Sequence, residues 1–134
     1  MDSPSTAVTA LQDLKKAEGS CTRCSLYLHA TQVVPGEGPA EAQVMFVGEQ
    51  PGDAEDRRGL PFVGPAGRLL DRAIAEAGLN RARIFVTNAV KHFKFEQRGK
   101  RRLHKRPDAY EIERCRWWLD QERAIVKPAI VVCR

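Results

Sequence analysis

Val44-Met45-Phe46-Val47-Gly48-Glu49-Gln50-Pro51-Gly52 runs from an apolar segment straight into a glycine-rich turn. Four apolar residues closed by a glycine are short for a helix and have the composition of a buried strand. Downstream, residues 50–67 read as a long loop rich in Gly and Pro. The period then changes: Leu69, Leu70, Ala73, Ile74 and Ala77 mark one face of a helix over 66–77, with Gly78 as its stop. Ile84-Phe85-Val86-Thr87 is a second strand leading to Asn88. A helix over 109–125 follows, with Ile112, Cys115, Leu119, Glu122 and Ile125 on related turns and Trp118 near the same face. Pro128 breaks it, and Ile130-Val131-Val132 reads as a third buried strand. Upstream, residues 35–42 are turn-rich, and 9–18 form a short helix with Leu11 and Leu14 on one side. Strands alternating with helices predict an α/β fold: a parallel central sheet flanked by helices, joined by right-handed crossovers.

The chain has 134 residues, which suits one domain. With 43% hydrophobic residues it does not have the composition of a disordered tail. It holds no apolar run of roughly 18 residues, so no membrane span is expected. The first 20 residues lack a basic start followed by an apolar core, so a secretory signal is not expected and a cytoplasmic location is. The net charge of +5 permits a nucleic-acid partner. That charge is concentrated: residues 91–106, KHFKFEQRGKRRLHKR, hold eight Lys or Arg against one Glu, a local +7, so the remainder is net acidic. This segment reads either as a solvated positive loop or as a loop that contacts a DNA or RNA backbone, the second being favoured. Phe93 and Phe95 interleave with the charges and are expected to anchor it.

Several residues are candidates for chemistry. Glu49 follows the first strand, at the end where open α/β sheets bind ligands. It could orient water or stabilise positive charge at a sugar carbon, or be a solvated turn residue. Gly48 and Gly52 let the backbone turn and approach a ligand closely. Phe62, in Pro61-Phe62-Val63-Gly64, could stack on a flat base or belong to the core. Asn88 carries an amide that can match a base edge, or it simply ends a strand. An imidazole at His104 is a chemically competent nucleophile or general base.

The four cysteines are Cys21, Cys24, Cys115 and Cys133. Without a secretory signal a disulfide pair is disfavoured. Four thiolates could bind zinc or an iron–sulfur cluster, and spacing alone does not separate these; buried free thiols are the plainer alternative. A four-cysteine site would staple the N-terminal helix to the last helix and strand.

Taken together these segments resemble the uracil-DNA glycosylase superfamily, and within it the iron–sulfur, family 4-like branch. They are most similar to the uracil-DNA-binding UdgX group, which becomes covalently joined to DNA. The resemblance rests on GEQPGDAED at 48–56, GLPFVGPAGRLLD at 59–71, TNAVKHFKFE at 87–96 and RGKRRLH at 98–104, the last close to that group's KRRIH loop. It implies a structural [4Fe–4S] cluster on Cys21, Cys24, Cys115 and Cys133. It implies uracil rotated out of DNA, with Phe62 stacking on the base, Asn88 bonding its polar edge and Gln50 marking the covalent subgroup in the substrate site. Glu49 would support the cation at C1′, and His104 would attack C1′ to leave free uracil and a protein–sugar bond. Lys100, Arg101 and Arg102 would shape the loop and contact phosphate. The expected partner is uracil-containing DNA, single-stranded favoured, and the expected state a monomer. Alternatives are a turnover uracil-DNA glycosylase and an inert iron–sulfur DNA-binding module. The family also carries a later His-Pro-Ser-type motif, absent here, and continues with Leu-Gly where this chain has Arg134. Residues 1–134 are therefore expected to be the N-terminal portion of a single, incomplete glycosylase-like domain.

Overall fold

In the computed structural model, which describes residues 4–133 with side chains from residue 6 onward, Val44–Gly48 forms strand β1 at the centre of a parallel sheet. β2 (Ile84–Asn88) pairs on one side and β5 (Ile130–Cys133) on the other, with Val44 opposite both Ile84 and Ile130. The α/β expectation holds. Arg134 lies outside the described residues. Side chains alternate across the sheet as the strand period requires. Met45, Val47 and Phe85 pack with Leu11 of α1 (Pro4–Glu18) and Val126 of α4 (Ala109–Val126). Val44 and Phe46, with Ile84 and Val86, face Leu70 and Ile74 of α3 (Pro65–Glu76). The outer edge of β2 is closed by Glu37, which exchanges two 2.8 Å backbone bonds with Val86.

Several sequence expectations change. The segment 50–67 is not all loop, because Asp53–Arg58 forms a short helix, α2. Gly52 precedes it, Glu55 folds back onto the Gly52 N–H, and three acids occupy its first turn, where the helix dipole favours them. The basic segment is not a loop either: β3 (Phe95–Arg98) and β4 (Arg101–His104) form an antiparallel hairpin turning at Gly99, whose φ is +60°. β5 is a strand but an exposed one, at the edge of the sheet. In α4 the buried face is Glu111, Cys115, Trp118, Glu122 and Val126, while Ile112 is exposed. In α3, Leu69 likewise faces out.

Beneath the sheet's C-terminal end lies a buried polar group. Lys91, expected in the basic loop, is fully buried, and its ammonium pairs with Glu122 at 2.6 Å and donates to the Asn88 carbonyl at 2.7 Å. Glu18 is buried beside them, and neither of its carboxylate oxygens has a hydrogen-bond partner. Burial first, then the charge of Glu122, pushes its pKa from 4.5 up to about 8, against the pull of Lys91 and Lys15. Because the folded state holds this proton more tightly than the unfolded chain, Glu18's contribution is fully present below 4.5 and is lost as pH rises through about 8. Glu18→Met, which fills similar volume without an orphan carboxylate, is expected to stabilise the protein by about 1–3 kcal/mol at alkaline pH and by less in acid. Urea unfolding at the two ends of that window measures this, and a variant no more stable than the parent in alkali refutes it.

Candidate active site

The loops after β1 and β2, the start of α3 and the end of β4 enclose a cleft of about 800 Å³. Its lining includes Gly48, Glu49, Gln50, Phe62, Asn88 and His104. This is the carboxyl end of parallel strands, where such sheets bind ligands.

Each side chain is placed by a local device. Gly48 leaves room where nothing larger fits: a Cβ there would lie 2.5 Å from Asn88 Oδ1 and 2.7 Å from the Phe62 ring. Phe62 sits at φ +55°, a region unfavourable for an aromatic residue and often retained at functional sites. Its ring meets Phe46 edge-on at 5.4 Å, and the absence of a side chain on Gly67 lets α3 pack against its carbonyl. Asn88 is buried at the end of β2, with its carbonyl held by Lys91. Glu49 is half exposed at the rim, 3.7 Å from Arg106. His104 ends β4 with its ring 5.2 Å from that of Phe93, and its Nε2 faces Gly52 closely enough that a methyl there would be 3.3 Å away.

The structure brings Glu49, Phe62, Asn88 and His104 together on one cleft. It gives Gln50 a different visible task. Although Gln50 borders the cleft, its amide donates to the Lys105 carbonyl at 2.8 Å and accepts from the Lys94 N–H at 2.9 Å. It therefore ties the first loop to both ends of the hairpin. Arg102 keeps the loop-shaping half of its expected role. Its guanidinium is bound to Asp53 and Asp56, so it shapes the loop rather than offering charge to phosphate. Lys100 and Arg101 are exposed at the hairpin tip, where a phosphate contact remains open to them. Lys94 pairs with Glu111 at 2.6 Å. Phe93 is buried, so the anchoring expected of it is present.

One site residue escaped the sequence reading. Glu55 lines the cleft and accepts from the N–H groups of Gly52, Val63 and Gly64, at 2.9, 3.0 and 2.5 Å. It joins the two loops that carry Glu49 and Phe62. The glycine three residues before it, at a helix start, was the available signal.

Cys21 and Cys115 share a buried cluster with Leu14, Leu26, Val90 and Trp118, and Cys24 packs against it. Their sulfurs accept hydrogen bonds: Trp118 Nε1 donates to Cys21 and the Lys91 N–H to Cys115, each at 3.1 Å. Such donors favour thiolate ligands and tune clusters. Burial pushes the Cys115 thiol up to about 12, and burial also raises Cys24. Cys133 is exposed on β5, and among the described residues no three Cys, His, Asp or Glu side chains close on one point as metal ligands do. Three of the four cysteines fit the donor chemistry of a cluster, and the four-cysteine site itself is not assembled. Also among the described residues, no helix is long and apolar enough to cross a membrane.

Comparison with known proteins agrees with this geometry. A family model for the uracil DNA glycosylase superfamily matches residues 35–134. A type-4 uracil-DNA glycosylase of Sulfurisphaera tokodaii is 42% identical over 124 residues, covering 92% of this chain and 53% of that protein. One from Archaeoglobus fulgidus is 36% identical over 124 residues, 92% of this chain and 59% of its own length. One from Thermotoga maritima is 48% identical over 71 residues, 53% of this chain and 37% of its own length. This chain thus spans about half the length of the curated relatives it matches. With its parallel sheet and the cleft at the strand ends, the chain belongs to the uracil-DNA glycosylase superfamily.

Proposed function

We propose that this protein cleaves the N-glycosidic bond of uracil in DNA and is captured on the resulting sugar through His104. The observation that carries this reading is the convergence of Glu49, Phe62, Asn88 and His104 on one cleft. An extruded uracil stacks on Phe62, and Asn88 bonds its amide-like edge. The N1–C1′ bond breaks with its electron pair passing to uracil, leaving an oxocarbenium ion at C1′. The Glu49 carboxylate supports that charge. The His104 imidazole gives its lone pair to C1′, loses its ring proton to solvent, and the uracil anion takes one up. The products are free uracil and a C1′–nitrogen bond. A tethered imidazole outcompetes water because it needs no diffusive approach. The likeness to type-4 uracil-DNA glycosylases favours a second reading, in which water attacks and the enzyme turns over.

Single-stranded DNA is the preferred substrate in this reading, since no partner base need be unpaired. Lys100 and Arg101 supply phosphate contacts, and the protein works as a cytoplasmic monomer with its thiols reduced. Cys21, Cys24 and Cys115, joined by Cys133, would hold a [4Fe–4S] cluster, which supplies a structural crosslink between the first and last helices. What supports it is the pair of N–H donors on buried sulfurs. Cys115→Ala is expected to lose bound iron and visible absorbance and to melt well below the parent. An unchanged iron count would overturn the assignment.

The test of function mixes the protein with labelled single-stranded DNA holding one uracil, then heats it in detergent before electrophoresis. A uracil-dependent shifted band supports capture. Free abasic DNA without a shift supports turnover. Salt-sensitive binding with neither product defeats both and leaves a DNA-binding module.

A further inference from the structure

His104 is the last residue of a surface hairpin, and a two-stranded hairpin is marginal by itself. Something must hold it over the cleft. We propose that Arg102, gripped by Asp53 and Asp56, is a latch that keeps the hairpin closed and decides whether His104 or water reaches C1′; this rests on the covalent reading above.

The latch is built into the body. Arg102 Nε donates to Asp53 Oδ1 at 2.6 Å, and its Nη1 donates to Asp56 Oδ2 at 2.6 Å. Asp53 and Asp56 are three apart on α2, so both face the hairpin. Asp56 is fully buried and also accepts from the Thr31 N–H at 2.9 Å, which fixes it from the opposite side. Arg102 keeps only 12% of its side chain exposed, so this pair is shielded from the solvent that weakens surface ion pairs. The guanidinium also lies over Phe93 and Phe95, at 5.2 and 5.0 Å from the ring centres.

The same contact reaches the nucleophile. Arg102 and His104 are two apart on β4, hence on one face of the strand, and both touch the buried ring of Phe93. Fixing Arg102 therefore fixes the height of His104 above the cleft. The Gln50 bonds to Lys94 and Lys105 pin the hairpin's base but not its length. Without the latch, β4 is held only at Lys105, the strand turns about that point, and the imidazole loses its fixed orientation toward the sugar, so water competes for its place. Arg102 and Asp56 are positioning residues: neither lines the cleft.

The experiment uses Asp56→Asn, which keeps an acceptor for Thr31 but removes the charge, and Arg102→Gln, which breaks the pair from the hairpin side if the first variant folds poorly. Two quantities are read. One is trypsin cleavage at Lys100 and Arg101 under native conditions; the other is the ratio of DNA adduct to free abasic product. Cleavage is expected to rise about tenfold and the ratio to fall about tenfold, as the open state gains population. Total uracil release stays within about threefold of the parent, which a general loss of structure would not allow. Adduct and uracil falling together, or an unchanged ratio, would overturn the latch's role. If the parent releases uracil without an adduct, the covalent reading and the partition fail together. Tip cleavage then still decides whether the ion pair holds the hairpin, and an unchanged rate overturns that as well.

Discussion

Replacing His104 with alanine removes the heat- and detergent-stable DNA adduct while uracil release remains measurable. The expectation follows from where the imidazole sits. His104 is on the cleft lining, at the exposed end of β4, so its loss costs one ring contact with Phe93 and no buried hydrogen bond. The base site is separate: Phe62 and Asn88 belong to the loop before α3 and to β2. Departure of uracil needs those residues and Glu49; capture needs a nucleophile already beside C1′. Moving from a positioned imidazole to bulk water forfeits its effective concentration, so adduct yield should fall by about 10²-fold or more. Water then finishes the reaction and frees abasic DNA. Quantifying both products from one gel separates the two steps. An adduct of parental yield in the variant would dismiss His104 as the nucleophile. Loss of both products would return the residue to a role in bond cleavage itself.

The sequence disclosed the parts of this site that follow from simple periods. Val44–Val47 and Ile84–Thr87 are apolar runs closed by Gly48 and Asn88, which is why their C-terminal ends could be located and Glu49 and Asn88 singled out; Phe62 stood out in the glycine-rich stretch before the amphipathic helix α3. The hairpin was hidden by its charge. Residues 95–104 read as part of a basic loop suited to a nucleic-acid backbone, although Phe95 and Leu103 flank a glycine turn in the manner of paired strands. Helix α2 was hidden by its length, six residues between glycines. The roles of Gln50, Lys91 and Arg102 could not be read locally at all. Their partners stand 31 to 55 residues away, at Lys105 and Lys94, at Glu122, and at Asp53 and Asp56. A lysine in a basic run looks solvated until the tertiary fold supplies a buried acid. For the cysteines, the family resemblance joined four into one expected site, whereas the structure packs Cys21, Cys24 and Cys115 in one apolar cluster and leaves Cys133 exposed on an edge strand.

Lys91→Met is expected to cost about 3–5 kcal/mol of stability, the range for breaking a buried pair from one side. The Lys91 ammonium donates to Thr87, to the Asn88 carbonyl and to Glu122, all out of contact with solvent. Methionine fills much the same volume, so the loss is electrostatic rather than a cavity. Glu122 would keep the Gly36 N–H at 3.0 Å and the Thr87 hydroxyl at 2.8 Å, but its charge would face only the neighbouring Glu18. Lys91→Met combined with Glu122→Gln removes that stranded charge while keeping a side chain that can hold Gly36. The double variant should therefore recover much of the loss, with a coupling of about 1–3 kcal/mol in a double-mutant cycle. In a chain of 134 residues the single variant should melt roughly 10 °C or more below the parent. A single variant within about 1 kcal/mol of the parent would mean that water enters and screens the site. The network also bears on the cleft, because Lys91 holds the backbone of Asn88 in place. A double variant that refolds fully yet releases uracil slowly would assign Lys91 a second duty: setting the height of the amide that meets the base.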